Sequence, residues 1–532
     1  MKNTRIFALI IALVSLLTLT ACGGTTPAPS SSPSASPSAP ANTDAANLAD
    51  TLTFAQGAEP RGLDPALVDD GESSKVIVNI YEGLLKYAKD STALEPCLAT
   101  SWKVSDDGLT YTFELRQGVK FQDGTDFNAE AVKYNIERQM PGNATTDMTY
   151  ADFVYGYVTK VEAPDTYTVV VTLKDKNTPF LSNLAMSMAA PMVSPKALQE
   201  NNGSVMEKPV GTGPYSFDRW DKGQDVVLVR NDNYWGDKAK TQNVIFRFIS
   251  DNSARVVALT NGEVDMIDGI DATVIDQLKS AGMTVDQPDG MNTNYMAYNV
   301  DSPIFSNAEN RKAVSEAVNV PELVQSLYQG YASPADTILP SFVPGFSSDI
   351  KQVAYNPDDA KTILSKNGVT AVHIITYSNV RPYNTANGDV LATAIQGYLS
   401  KVNVTATIDS YDWTTYKEKV KAGDFDIAFY GWTGDNGDPD NFMSLLSDKD
   451  PAMNISRFND PTYLELINKG KTTPNGDDRN AIYKQLEQIQ VDQNPWLLVS
   501  HSKLLSAYSP KIQDYYYHVT GNVFLSQMTK LK

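Results

Sequence analysis

Cysteine and histidine are scarce in this chain of 532 residues. It contains two cysteines, Cys22 and Cys97, and three histidines, His373, His501 and His518, which stand far apart in the sequence. Neither a CxxC pair nor an HExxH motif occurs, so the sequence excludes a disulfide framework, a cysteine-based zinc site and a zinc metalloprotease helix. We therefore expect no bound metal and no cofactor.

Basic residues are also few. The 44 Lys and Arg residues are outnumbered by 63 Asp and Glu residues, which gives a net charge of −19. A chain of this charge repels phosphate backbones and anionic lipid headgroups, so nucleic acid is excluded as a partner. With 42% apolar and 20% charged residues, the composition is that of a globular protein of two or three domains.

The longest apolar stretch stands at the start of the sequence. Residues 1–21 have the pattern of a secretory signal peptide, with Lys2 and Arg5 before the apolar run 6–19. The sequence LTAC at its end resembles the lipobox of bacterial lipoproteins, which implies that the Cys22 thiol is lipidated and that Cys22 becomes the first residue of the mature chain. The alternative is an ordinary cleaved signal followed by a chance cysteine.

A Pro/Ser/Ala-rich segment follows, residues 22–50, without apolar periodicity. Because this composition cannot form a packed core, we predict a disordered linker that holds the folded part on the order of 30 Å from the lipid. No later stretch approaches the roughly 18 consecutive apolar residues of a membrane-spanning helix. We expect an extracytoplasmic protein, anchored through Cys22 in the periplasm or on the outer face of the cytoplasmic membrane.

Strand patterns dominate the first part of the folded region. The segments LTYTFEL (109–115), YTVVVTL (167–173) and DVVLVR (225–230) alternate apolar and polar residues between turn residues. One helix is clear among them, because Asn128 is a good N-cap and residues 129–140 carry an apolar stripe with a spacing of four.

After about residue 290 the pattern changes to alternating helices and strands. The sequence predicts three strands, 372–377, 404–408 and 425–432, separated by two helices, 388–402 and 413–422. Such a βαβαβ unit has right-handed crossovers, and its strands are parallel.

Two loops of this unit carry charged residues of opposite sign. Arg381 lies in SNVRPYN (378–384), after the first strand, and Asp435 lies in GWTGDNGDPDNF (431–442), at the end of the third. Parallel strands place both loops at the carboxyl edge of one sheet, where open α/β sheets bind ligands. Taken singly, each side chain is more simply explained as a solvated loop residue, but together they suggest a site for a zwitterion.

Two longer segments resemble a known family. Residues 98–138 and 209–236 are similar to the two signatures of the extracytoplasmic solute-binding proteins of family 5, which serve peptide and nickel ABC importers. SNVRPYN, GWTGDNGDPDNF and NPWLLVSH (494–501) are most similar to the dipeptide-binding branch of that family.

The resemblance implies an α/β fold of the periplasmic-binding-protein type, with two lobes joined by a hinge and an extra subdomain in the first lobe. The expected parts are lobe I at 51–290 plus 505–532, its subdomain at about 85–205, lobe II at 291–504, and two crossing segments near 288–293 and 503–506.

The resemblance also implies a function. We expect a monomeric substrate-binding lipoprotein of an ABC importer, which captures short peptides, most simply dipeptides, and delivers them to a permease and ATPase complex. By the same likeness, Asp435 receives the peptide α-ammonium and Arg381 receives the α-carboxylate, while Trp432, Thr433 and Gly434 complete the ligand site. An Arg guanidinium fits a carboxylate through two hydrogen bonds, which a Lys ammonium cannot do.

Several alternatives stay open or are set aside. Nickel, a metal chelate or a longer oligopeptide can replace the dipeptide as ligand. A different class of function, a surface lipoprotein without a transport role, is also a hypothesis. Ser250-Asp251-Asn252 matches one element of penicillin-recognising enzymes, but the other elements are absent or out of order, so we predict no enzyme. The acidic residues after Gly434 lack the spacing of an EF-hand.

Overall fold

This computed structural model describes residues 48–532 of the chain. The predicted signal peptide, residues 1–21, and the predicted lipidation site, Cys22, lie outside the described residues, as does most of the linker 22–50. No helix of the described part combines the length and apolar character needed to cross a membrane.

The strands within residues 48–532, in chain order, are β1 (Thr51–Gln56), β2 (Leu85–Tyr87), β3 (Leu94–Pro96), β4 (Ala99–Val104), β5 (Thr110–Leu115), β6 (Val158–Asp165), β7 (Thr168–Leu173), β8 (Tyr215–Asp221), β9 (Asp225–Arg230), β10 (Asn243–Phe248), β11 (Met266–Asp268), β12 (Thr284–Asp286), β13 (Asn292–Tyr298), β14 (Ala332–Pro334), β15 (Ala371–Tyr377), β16 (Thr405–Tyr411), β17 (Ile427–Thr433), β18 (Trp496–Ser502), β19 (Ser506–Tyr508), β20 (Ile512–Gln513) and β21 (Thr529–Lys530).

The α-helices of the same range are α1 (Gly71–Ile80), α2 (Ala129–Gln139), α3 (Ala151–Tyr155), α4 (Phe180–Asn183), α5 (Pro195–Glu200), α6 (Asn252–Thr260), α7 (Ile275–Ser280), α8 (Ala308–Glu316), α9 (Val320–Tyr328), α10 (Pro357–Lys366), α11 (Gly388–Lys401), α12 (Trp413–Ala422), α13 (Asp440–Met443), α14 (Pro461–Thr472) and α15 (Asp477–Gln493), with short 3-10 turns at Ala272–Val274 and Ser444–Ser447.

A seven-stranded sheet organises the first region, in the order β12-β19-β11-β1-β10-β9-β8. The central strand β1 pairs in parallel with β10 and β11, whereas the outer pairs are antiparallel. Strand β19 comes from the C-terminal tail, and the tail residues Val523, Leu525 and Met528 are buried in the same core. We call this part the seven-stranded region.

A four-stranded antiparallel sheet, in the order β4-β5-β7-β6, forms a second core with α2. The predicted helix is confirmed: the Asn128 side chain accepts a hydrogen bond from the backbone N–H of Ala131 at 3.0 Å, and α2 ends one residue earlier than expected. The buried residues of this core run from Leu84 to Met192. We call it the four-stranded region.

A six-stranded sheet, in the order β14-β18-β13-β17-β15-β16, organises the third core, which runs from Met291 to Val499. The predicted βαβαβ unit is present, because β15 pairs in parallel with both β16 and β17. Strand β17 also pairs with β13, and that pairing is antiparallel, so β17 is buried in a mixed sheet and not in a purely parallel one. We call this part the six-stranded region.

The chain passes between the seven-stranded and six-stranded regions twice, from β12 to β13 and from β18 to β19. The two passages lie side by side, because the backbone N–H of Leu504 donates to the carbonyl of Pro288 at 2.9 Å. The Asn292 side chain fastens the second passage: its amide donates to the Ser502 carbonyl and accepts from the Ser502 N–H, each at 2.8 Å.

The signature segment 209–236 has a structural role around one buried carboxyl group. Glu82, just after α1, accepts hydrogen bonds from the Thr212 hydroxyl at 2.8 Å, the Tyr234 hydroxyl at 2.6 Å and the Trp235 indole N–H at 2.7 Å. Burial raises the pKa of Glu82, although these three donors oppose the rise. The Tyr-Trp pair of the signature therefore joins this segment to the end of α1.

Candidate functional site

The loops after β15 and β17 carry the two charged residues that the sequence singled out. Because β15 and β17 are parallel neighbours, both loops leave the same edge of the six-stranded sheet, as predicted. Arg381 lies in the loop between β15 and α11, and Asp435 lies in the loop between β17 and α13.

The Arg381 guanidinium stacks on an indole ring. Its central carbon lies 3.9 Å from the centroid of the Trp413 ring, at the start of α12. Cation–π stacking of this kind contributes about 0.5–2 kcal/mol and fixes the plane of the guanidinium. The Nε atom of Arg381 is buried and has no hydrogen-bond partner among residues 48–532, and no carboxylate of that range forms an ion pair with this side chain.

The Asp435 carboxylate is held by two neutral side chains. It accepts a hydrogen bond from the Tyr150 hydroxyl at 2.5 Å and another from the Asn441 amide at 3.2 Å, and Asn441 also accepts from the Asp435 backbone N–H at 3.0 Å. No ion pair joins Asp435 to a cation of the described chain. Burial raises the pKa of Asp435, and the hydrogen bonds from Tyr150 and Asn441 oppose that rise.

A chain of contacts along β17 joins these two residues. The Trp413 ring, on which Arg381 stacks, lies 5.4 Å from the ring of Tyr430. Two residues further along β17, the indole N–H of Trp432 donates to Asn441 at 2.8 Å, the same side chain that holds Asp435. Alternate residues of a strand point to one face and lie about 7 Å apart, so Tyr430 and Trp432, the two strand residues of this chain of contacts, belong to the same face of the sheet.

The three remaining predicted residues, Trp432, Thr433 and Gly434, directly precede Asp435 in the chain but play different parts. Trp432 is half-buried and is fixed by its indole hydrogen bond to Asn441. Thr433 is exposed at the end of β17. Gly434 donates its backbone N–H to Met291 at 2.7 Å, and a Cβ there would lie 2.7 Å from the ring of Phe442, so this position requires glycine.

The four-stranded region touches the Asp435 loop directly. Besides the bond from Tyr150, the Thr92 hydroxyl donates to the Gly437 carbonyl at 3.3 Å, and the Asn436 amide donates to Asn183. A Cβ at Gly437 would lie 1.9 Å from the Cβ of Thr92, so only glycine allows this approach. The loop therefore lies between two regions of the protein.

Sequence reasoning did not find Tyr150 or Asn441. Tyr150 precedes the short helix α3, and no apolar period or local motif marks it as a partner of a loop in another region. Asn441 lies within the segment GWTGDNGDPDNF that drew attention to Asp435, so its proximity could have been read from the sequence, but its contacts with both Trp432 and Asp435 could not.

The histidines do not converge. His373 bonds Asp409 at 2.9 Å, the Nδ1 atom of His501 lies 2.7 Å from the Asn292 carbonyl oxygen, and the Nδ1 atom of His518 lies 2.8 Å from the Thr520 hydroxyl. Within residues 48–532, no group of three or more His, Cys, Asp and Glu side chains is placed to hold a metal ion.

The chain is similar to proteins of one family over most of its length. Residues 93–454 match the family described as "Bacterial extracellular solute-binding proteins, family 5 Middle". Di/tripeptide-binding protein 1 of Pseudomonas aeruginosa is 32% identical over 88% of this chain and 92% of the relative, and heme-binding protein A of Haemophilus influenzae is 29% identical over 96% of each.

The solved structures agree with this likeness. The periplasmic binding protein DppA from Helicobacter pylori, in complex with peptide STSA, has a TM-score of 0.74 and 30% identity, and the match covers 92% of this chain and 100% of that one. The mixed α/β architecture is thus the two-lobed fold of periplasmic binding proteins. The chain belongs to the bacterial extracellular solute-binding proteins of family 5.

Proposed function

We propose that this protein is the membrane-anchored substrate-binding component of an ABC importer and captures short peptides, most simply dipeptides. Lobe I, 51–290 plus 505–532, and lobe II, 291–504, close over the ligand about the two passages near 288–293 and 503–506. The subdomain of lobe I, about 85–205, contains the four-stranded region that touches the Asp435 loop.

One observation carries this proposal: Arg381 and Asp435 have opposite charges, and neither has an ion-pair partner within the described residues. Holding a charge partly out of water without a counter-charge is unfavourable. A ligand that brings a carboxylate to Arg381 and an ammonium to Asp435 removes both penalties together.

The short separation of its terminal charges makes a dipeptide a small zwitterion. The terminal charges of a dipeptide lie on the order of 6–7 Å apart, because each extended residue spans about 3.3–3.6 Å. Tyr430 and Trp432, which belong to the chain of contacts from Arg381 to Asp435, are separated by a similar distance of about 7 Å along β17. The Trp413 ring keeps the guanidinium plane fixed, so it can receive a carboxylate through two parallel hydrogen bonds.

Other ligand classes fit these contacts less well. The heme-binding relative suggests heme as an alternative ligand. However, a ligand whose charged groups are carboxylates pairs with Arg381 and leaves Asp435 without a positive counter-charge. Nickel alone lacks a ligand set, because no described group of His, Cys, Asp and Glu side chains is placed around one point. A longer peptide keeps both terminal charges but, when extended, separates them by more than a dipeptide does.

Calorimetric titration of the purified protein with four probes tests the proposal: Ala-Ala, N-acetyl-Ala-Ala, Ala-Ala amide and Ala-Ala-Ala, with Ni²⁺ as a further ligand. We expect Ala-Ala to bind best and each blocked derivative to bind at least about tenfold more weakly, because each lacks one charge-assisted interaction. Equal binding of blocked and free dipeptides, or a response to Ni²⁺ alone, would contradict it.

The proposal also includes attachment of the protein to the membrane and delivery of the peptide to the transporter. Lipidation of Cys22 holds the protein at the membrane, and a permease and ATPase complex accepts the closed, liganded form of the monomer. Replacing Cys22 with Ser tests the anchor: we expect the variant in the soluble fraction after cell lysis and the wild type with the membranes. A variant that stays with the membranes would show that another segment anchors the chain.

A further inference from the structure

We infer that Asn384 is a positioning residue, which holds Arg381 where a ligand carboxylate must be met. The inference rests on the proposed function, because it assigns a reason for the geometry of the carboxylate site. The Asn384 amide is buried and does not itself contact the ligand. Its role is to attach one exposed loop to the rest of the protein.

The loop that carries Arg381 has few attachments. Ser378, Asn379 and Val380 are exposed before Arg381, and Pro382 and Thr385 are exposed after it. Only two neighbouring residues of the loop are buried, Tyr383 at 5% exposure and Asn384 at 0%. Because an exposed loop has high conformational freedom, the position of the Arg381 backbone depends on these two buried residues.

Asn384 is bound to Arg381 through the backbone in both directions. The Arg381 N–H donates to the Asn384 carbonyl at 3.0 Å, and the Asn384 N–H donates to the Arg381 carbonyl at 2.9 Å. This reciprocal pair closes a tight turn over residues 381–384. Fixing Asn384 therefore fixes the Cα of Arg381 as well.

The Asn384 side chain is held by two buried phenol groups from separate elements. Its Oδ1 atom accepts from the Tyr328 hydroxyl at 2.8 Å, at the end of α9, and its amide donates to the Tyr377 oxygen at 3.0 Å, at the end of β15. Tyr328 in turn accepts from the Asn294 amide at 3.0 Å. An amide is suited to this position because it supplies one acceptor and one donor in one plane.

A second bond fixes the same turn from the side of the chain passage. The Ser502 hydroxyl donates to the Tyr383 carbonyl at 2.9 Å, and Ser502 is the residue whose backbone is bound by the Asn292 side chain. The Tyr383 ring also lies where a Cβ of Gly431 would be, 2.2 Å away, so the turn packs directly on β17. The turn therefore has defined contacts on three sides, although Pro382 is exposed and Arg381 is only half-buried.

Loss of the Asn384 contacts is expected to affect binding of the carboxylate end of the ligand only. Arg381 gains its full effect only if the guanidinium is held within a fraction of an ångström of its place, and its stacking on Trp413 requires the same backbone position. Loss of the Asn384 side chain releases the turn from Tyr328 and Tyr377 and lets Arg381 explore other positions. Contacts of Asp435 do not involve this turn, so binding of the ammonium end is preserved.

The test compares Ala-Ala with Ala-Ala amide, measured by calorimetric titration of the wild type and of Asn384→Ala. The ratio of their two dissociation constants reports how strongly Arg381 favours a free carboxylate over an amide. We expect the wild type to prefer the free acid by at least about tenfold, and Asn384→Ala to lose most of that preference while its affinity for the amide changes little. Tyr328→Phe, which removes one of the two holding phenols, is expected to reduce the preference by a smaller factor.

Asn299→Ala is the matched control. Asn299 is also buried in the six-stranded region and donates to the carbonyls of Gly423 at 3.0 Å and Phe425 at 2.9 Å, next to the opposite end of β17. We expect it to lower the melting temperature and to keep the full preference for the free acid.

The outcomes separate this inference from the proposed function. A wild type that binds the acid and the amide equally contradicts both. A wild type that prefers the acid, together with an unchanged preference in Asn384→Ala, contradicts the inference alone. If Asn384→Ala does not fold, Tyr328→Phe decides, and an unchanged preference in that variant overturns the assignment.

Discussion

The Tyr150 hydroxyl donates a hydrogen bond of 2.5 Å to the Asp435 carboxylate, across 285 positions of the sequence. The donor precedes α3 in the four-stranded region, and the acceptor follows β17 in the six-stranded region. This bond joins two separately formed cores at the residue that we propose for the ligand ammonium. It also favours the ionised form of Asp435, because a hydrogen bond to a carboxylate lowers its pKa.

The first prediction concerns this bond. Tyr150→Phe removes a donor to the ionised form, so the pKa of Asp435 is expected to rise further above its usual range. Because only the ionised carboxylate pairs with an ammonium, the affinity for Ala-Ala decreases as the pH falls through the pKa of Asp435, and in the variant this decrease begins at a higher pH. At neutral pH we expect binding to weaken by about threefold to tenfold.

Titrations with Ala-Ala between pH 4 and pH 8 check this prediction. Tyr134→Phe is the matched control, since Tyr134 lies on the exposed side of α2 in the same region. The control is expected to follow the wild-type pH profile. Identical profiles for Tyr150→Phe and the wild type would mean that the Tyr150 bond does not act on the Asp435 site.

The second prediction concerns the two unpaired charges. Arg381→Ala and Asp435→Asn are each expected to abolish the response to Ala-Ala while changing the melting temperature of the unliganded protein by no more than about 2 °C. Removing one partner of a buried ion pair normally destabilises a protein by about 3–5 kcal/mol, because the other charge is left alone. Neither residue has such a partner within the described chain, so no charge is orphaned here.

Thermal unfolding with and without Ala-Ala measures both parts of this prediction. The wild type is expected to gain about 2.7 kcal/mol at a ligand concentration of 100 times the dissociation constant. Asp438→Asn provides the contrast, because Asp438 forms a buried pair with Arg479 at 2.7 Å and its loss is expected to destabilise the protein strongly. Full binding by either Arg381→Ala or Asp435→Asn would refute the pairing of termini.

Local patterns in the sequence predicted the elements that present the site. The helix predicted at 388–402 is α11, and the order and parallel pairing of β15, β16 and β17 follow from short-range periodicity and the handedness of crossovers. The antiparallel partner of β17 could not be predicted, since β13 lies more than 100 positions earlier and no local signal encodes that pairing.

Burial of polar residues explains why one helix could not be predicted from the sequence. Helix α1 was not predicted, because its buried face includes Ser73, Ser74, Lys75 and Asn79 next to Val76 and Ile77, which leaves no clear apolar period. The same limit applies to the site. Arg381 and Asp435 stand in recognisable loops, but Tyr150, Asn384 and Asn441 acquire their roles only through contacts with distant or laterally packed side chains.

The third prediction concerns a buried carboxyl group outside the site. Glu487 lies on the inner face of α15 and is fully buried. Burial raises the pKa of Glu487 to about 8, although the Thr337 hydroxyl and the Lys484 ammonium oppose the rise. In the unfolded chain this group has a pKa near 4.3, so the native state holds a proton that the unfolded state releases between the two values.

The raised pKa of Glu487 makes the folded protein less stable as the pH rises. The stability that Glu487 contributes is fully present below pH 4 and decreases as the pH rises towards 8, because ionising the buried group is unfavourable. Glu487→Gln keeps the shape of the side chain without the titration. We expect the variant to melt at nearly the wild-type temperature at pH 5 and a few degrees higher at pH 8.5, as measured by thermal unfolding. Parallel pH profiles of the two proteins would contradict this prediction.

The last prediction concerns the approach of the Asp435 loop to the four-stranded region. A Cβ at Gly437 would lie 1.9 Å from the Cβ of Thr92, so Gly437→Ala cannot form this contact without displacing one of the two segments. In the proposed function the two regions meet when the lobes close over the ligand, so we expect the variant to bind Ala-Ala at least about tenfold more weakly and to keep the melting temperature of the unliganded protein. Gly397→Ala is the control, because nothing lies within 4 Å of a Cβ at that position of α11 and alanine favours the helix.

A second change, Thr92→Gly, removes the Cβ that clashes with Ala at position 437. We therefore expect Gly437→Ala combined with Thr92→Gly to recover most of the lost affinity. Recovery in calorimetric titrations would locate the defect at this contact, whereas wild-type affinity in Gly437→Ala alone would show that binding does not require the two regions to meet there.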